Sequence, residues 1–132
     1  MRLTTAQAVL LAVGFQCSVY WLAFTHPAAA PRLPEWLALL AYILLYGSVG
    51  AVAAHNGRRW SAPIFATIAA FAASALICVV GVLSGEFLER GFGPASVLSY
   101  LIWMLGLGLV GGIVGLVFVL ALIRSTSRAR AT

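Results

Sequence analysis

The sequence predicts an all-α integral membrane protein: four transmembrane helices in a compact bundle, with both termini in the cytoplasm. Three observations predict it. The 132 residues are 63% hydrophobic with a mean hydropathy of +1.05, outside the range of soluble domains. Four apolar stretches are long enough to cross a bilayer core, which takes about 20 residues of helix. None of the four contains Asp, Glu, Lys, Arg or His. Residues 1–132 therefore form a single four-helix transmembrane domain.

The first span runs over residues 6–24 and is closed by Thr25-His26-Pro27. Ala28-Ala29-Ala30 beyond it offers an A-x-A cleavage pattern. However, the apolar run exceeds the about 7–15 residues of a signal peptide, Arg2 is its only preceding charge and Pro31 follows the cut, so the span is kept. The second span, 36–54, is entered through Pro34-Glu35 and left through His55-Asn56-Gly57. The third, 62–84, carries Pro63 in its first turn, where a missing amide donor is harmless. The fourth, 97–123, follows the breaker Gly91-Phe92-Gly93-Pro94 and is long enough to tilt or to extend beyond the lipid. Open strands are excluded, because their edges cannot be satisfied in hydrocarbon.

Charge sets the orientation. The net charge is +5, from eight arginines and three glutamates. Arg2, Arg58, Arg59, Arg124, Arg128 and Arg130 fall on one side of the four spans. Arg32 and Arg90 fall on the other, with Glu35, Glu86 and Glu89. The positive-inside rule puts the first group in the cytoplasm. Because the arginines sit at helix ends and not on one water-exposed face, nucleic acid is not an expected partner. Arginine-only basic usage with abundant alanine suggests a bacterial chain in the cytoplasmic (inner) membrane. Tyr20, Trp21, Phe24 and Trp36, with Phe92, Tyr100 and Trp103, are expected as an aromatic belt at the outer interface, and Trp60 at the inner one.

In lipid the hydrophobic effect does little to drive helices together, so small residues that allow close backbone approach mark the contacts. Gly108, Gly111, Gly112 and Gly115 share one stripe of the fourth span; Gly47, Gly50, Ala51 and Ala54 repeat the spacing on the second. These eight residues are the predicted packing seam, either within one protomer or between copies. Ala62, Ala66, Ala69, Ala70 and Ala73 give the third span a similar row. The constant offset of the first two sets, Gly47 to Gly108 onward, fits either a weak parallel duplication or chance matching in an Ala/Gly-rich chain.

Chemistry is sparse. Gln16 and Ser18, flanking Cys17, are the candidates for an interhelical hydrogen bond or for a polar path. Cys17 and Cys78 lie in apolar runs without metal or redox spacing. Glu35 suits a helix N-terminus, Glu86 and Arg90 form an i, i+4 pair, and His55 suits a helix C-terminus, so no metal and no cofactor are expected. With no carboxylate in a span or on the cytoplasmic side, no nucleophile has an orienting partner, and the chain is expected not to be an enzyme.

Asn56-Gly57-Arg58-Arg59-Trp60 resembles the Asn-Arg-x-Trp signature of GtrA-like proteins, four-span proteins that move polyprenol-linked sugars. The resemblance covers five residues with Gly57 inserted, and the family's second copy of the motif is absent at Arg124-Ser125-Thr126-Ser127. Two functions are carried forward. One is an accessory, assembly or stabilising subunit of a larger membrane complex, its partners being the lipid bilayer and other membrane subunits or copies of itself. The alternative is a small homo-oligomeric transporter, flippase of the GtrA-like kind or channel.

Overall fold

Thr4 starts the first helix with a capping box. Its Oγ1 accepts from the Gln7 backbone amide at 3.2 Å, and the Gln7 Oε1 accepts from the Thr4 amide at 2.9 Å. In the computed structural model, which describes residues 2–28 and 32–131, this helix is α1, Thr5–Thr25. The cleavage pattern at Ala28-Ala29-Ala30 falls largely outside the described residues. Glu35 opens α2, Glu35–His55, where its charge suits the positive end of the helix dipole. Gly57 ends α2: its φ of +83° is left-handed, which a side chain would resist. There the Arg58 amide donates to Ala53 O at 2.9 Å and the Gly57 amide to Ala54 O at 3.2 Å, a Schellman closure of the last turn.

After this turn comes α3, Ala62–Leu83, with Pro63 in its first turn. A single-turn helix, α4 (Glu86–Glu89), leads into α5, Pro94–Ala131. The structure is thus all-helical, with four helices long and apolar enough to cross a membrane. Their limits fall within a few residues of the expected spans except at the end of α5. That helix continues unbroken through Arg124–Ala131, all of it exposed. Its 38 residues give a rod of about 57 Å, nearly twice a bilayer core.

The helices alternate in direction, so α2 and α5 run parallel. Both start at the end of the bundle that carries the three glutamates and finish at the end that carries Arg58 and Arg124. α5 packs closely on α2 and α3, while α1 lies against α3 and α2 and makes no close backbone approach to α5. Alanine dominates the core. Ala66, Ala69, Ala70 and Ala73 of α3 are fully buried, as is Ala53 of α2. Small side chains let the helices approach, and dispersion contacts between close backbones do what the hydrophobic effect does in water. The outer surface bears Leu10, Phe15, Leu44, Ile102 and Phe118, large and exposed, as a lipid-facing surface requires.

Candidate functional site

The glycines of α5 divide between two neighbours. A Cβ added at Gly111 would lie 2.8 Å from the Tyr46 Cβ and 3.1 Å from the Gly47 amide nitrogen. One added at Gly115 would meet the Gly47 carbonyl oxygen and stand 2.7 Å from the Ala51 nitrogen. Gly108 and Gly112 look toward α3 instead, where an added Cβ would stand 2.7 Å from the Ala70 Cβ and 2.6 Å from the Pro63 Cα, respectively. From α2, a Cβ at Gly50 would fall 2.7 Å from the Gly112 carbonyl oxygen, and Gly47 lies against Gly111. Ala54 is buried with Ala53, Ala62 and Val119 in a second small cluster. Within one chain, then, Gly47, Gly50 and Ala51 stand backbone to backbone with Gly111, Gly112 and Gly115.

Above this seam, toward the glutamate end, sits a polar cluster built from all four tyrosines of the chain and Gln16. Tyr46, fully buried on α2, donates its hydroxyl to Gln16 Oε1 on α1. The Gln16 amide donates in turn to Tyr100 Oη on α5 at 3.4 Å. Tyr42 donates to Tyr20 Oη at 3.3 Å. The rings of Tyr20 and Tyr100 meet edge-on at 6.2 Å, and Tyr42 stacks on Tyr46 at 6.4 Å. Side chains thereby bridge α1 and α5, whose backbones stay apart. Ser18 takes no part: it is exposed and donates to Gly14 O of its own helix at 2.7 Å.

Tyr20 and Tyr100 depart from the aromatic belt expected of them. Both turn inward, whereas Trp21, Trp36, Trp60 and Trp103 are exposed. Trp21 follows Tyr20 by one residue, about 100° around the helix, so the two cannot face the same way. Tyr42 and Tyr46 were not singled out from the sequence. Their signal was the spacing: Gln16/Tyr20 and Tyr42/Tyr46 are both i, i+4 pairs, and a hydroxyl at mid-span in lipid needs a partner.

Four shallow clefts reach the cluster: one of about 360 Å³, along Cys17 and Ser18, touches Tyr20, and three others approach elsewhere. One of about 450 Å³ between α1 and α2 touches Gln16 and Tyr42. A second, about 460 Å³, lies between Trp36 and Trp103 and ends on Tyr42. The third, about 300 Å³, is lined by Tyr20, Tyr100, Phe24, Phe87 and Arg90. The Arg90 guanidinium lies 4.9 Å over the Phe24 ring and bonds Glu86 at 3.4 Å, the i, i+4 pair expected from the sequence.

Asn56 ties the α2–α3 turn to the start of α1, donating to Leu3 O at 3.0 Å and to Thr5 Oγ1 at 3.4 Å. Among the described residues, no three His, Cys, Asp or Glu side chains come together as they would to hold a metal ion. Compared with protein-family models, with curated proteins and with solved structures, the chain matches none. The resemblance to GtrA-like proteins therefore rests on residues 56–60 alone, and the inserted Gly57 is the residue that ends α2.

Proposed function

We propose that this chain is a non-catalytic multi-pass subunit that assembles with or stabilises a larger membrane complex through helix packing. Its address would be a bacterial inner membrane, with both chain ends in the cytoplasm, as the distribution of arginines favours. The observation that carries the reading is the closed interior. Among the described residues, every buried side-chain nitrogen and oxygen has a hydrogen-bond partner within the chain. The close-approach glycines are likewise occupied inside the protomer. What remains for function is the exterior, a ring of apolar helix faces that suits lipid or another membrane subunit.

Purification in a mild detergent followed by native mass measurement tests this. The reading expects foreign membrane subunits at fixed ratio; a closed ring of identical copies would overturn it. The second reading, a small homo-oligomeric transporter, flippase or channel, draws its support from the clefts that reach the tyrosine cluster. Four hydroxyls and an amide, uncharged and aromatic, would suit a neutral hydroxylated head group better than an ion. Proton coupling is not part of it, since a relay in lipid runs through Asp, Glu or His and the spans hold none of them.

A further inference from the structure

A cleft of about 740 Å³ opens at the arginine end of the bundle, between α1 and α3. Arg2, ahead of α1, and Arg58, in the α2–α3 turn, stand at its mouth. Val9 and Leu10 of α1 face Phe65 and Ile68 of α3 further in, one to two turns along each helix. The mouth is held in shape by Asn56, whose amide fixes the turn to Leu3 and Thr5.

The charge at this mouth is unbalanced. Among the described residues the one carboxylate ion pair is Arg90–Glu86, at the opposite end of the bundle. Glu35 opens α2 and Arg58 follows its close, so about 30 Å of helix separates them. The Arg58 guanidinium lies 5.3 Å over the Phe65 ring. Stacking holds the plane and leaves the N–H edges free, the arrangement in which arginine takes a phosphate. Below the mouth the groove is apolar and open to the side, with Leu10 and Ile68 exposed. A free anion would use only the mouth, and an apolar peptide only the groove.

We propose that this cleft binds one anionic glycerophospholipid, its phosphodiester between Arg2 and Arg58 and an acyl chain along the groove. Trp60, exposed two residues from Arg58, is the amphipathic ring type that favours the head-group level. A zwitterionic choline lipid would bring its own cation against two arginines with no carboxylate to receive it.

Native mass spectrometry of the full chain, offered phosphatidylglycerol and phosphatidylcholine at equal concentration, is the test. The wild type should retain phosphatidylglycerol preferentially. Arg2→Gln and Arg58→Gln should each weaken that retention about fivefold and the pair roughly 25-fold, the usual weight of a surface arginine against an anionic lipid. Ile68→Trp keeps both charges but fills the groove, and should also lose the lipid. Both arginines are exposed, so the charge variants should fold, which an unchanged thermal transition would verify. Equal retention of the two lipids by the wild type would overturn the proposal. So would an equal loss in Arg124→Gln/Arg128→Gln, which would make net charge the cause, or undiminished binding in Ile68→Trp.

Discussion

At Gly115 an added methyl would collide with the Gly47 carbonyl oxygen, and at Gly106 it would meet nothing within 4 Å. Both glycines are on α5, so propensity and hydropathy change equally at the two positions. Gly115→Ala should therefore destabilise the bundle by about 1–3 kcal/mol, because backbone cannot yield as a side-chain tip can. Gly106→Ala should be neutral or slightly stabilising, since alanine is the better helix former. Unfolding in mixed micelles of rising denaturing-detergent fraction would measure the pair; equal responses would mean that α2 and α5 do not meet at Gly47. The tyrosine cluster allows a second comparison. Tyr46→Phe leaves the Gln16 carbonyl without its donor, whereas Gln16→Leu removes both of the amide's bonds. A double-mutant cycle between them should give a coupling of about 0.6–1.7 kcal/mol, the range for interhelical bonds in lipid. A coupling near zero would mean that α1 is not held at this depth by that bond.

Among the four long helices, α1 is held least. Thr5, Ala8, Ala12 and Gln16 are its buried residues, a thin stripe beside the nine buried positions of α3. It docks against α3 and α2, and its ties to α5 are side chains alone. Local opening follows the density of packing, so amides of α1 beyond its first turn should exchange with deuterium before those of α2 and α3 in the same detergent. Protection of α1 equal to that of α3 would count against this order. The four helices were legible in the sequence because length, hydropathy and flanking breakers suffice to mark a span. Which face turns inward was legible only where small residues formed a row. Even that row hid a division: Gly108/Gly112 and Gly111/Gly115 lie about 60° apart around α5, enough to address two different helices. Tyr20 and Tyr100 were misread because position along the span suggests an interface, while rotation about the axis sets what a ring touches. Ser18 differs from Gln16 for the same reason, lying about 200° around α1 from it.

For the whole molecule, the arrangement of helices constrains the topology independently of charge. Gly47 lies against Gly111, and Ala51 against Gly115, so residue numbers rise together along the two helices and α2 and α5 must cross the membrane in the same sense. α3 runs between them in the opposite sense, with Gly108 against Ala70 and Gly112 against Ala66. Positions 59 and 128 are then separated by two crossings and belong on one side, with residue 89 on the other. In the proposed orientation the shared side is the cytoplasm, since Arg58, Arg59, Arg124, Arg128 and Arg130 would otherwise have to be carried across. In a Cys17→Ala/Cys78→Ala background, Arg59→Cys and Arg128→Cys should resist a membrane-impermeant maleimide in intact cells and react after permeabilisation. Glu89→Cys should react at once. Reaction at all three positions in the reverse order would invert the protein and leave its packing untouched. Reaction at 59 without 128 would require an odd number of crossings between them, which removes α3 or α5 from the bilayer and the parallel glycine seam with it.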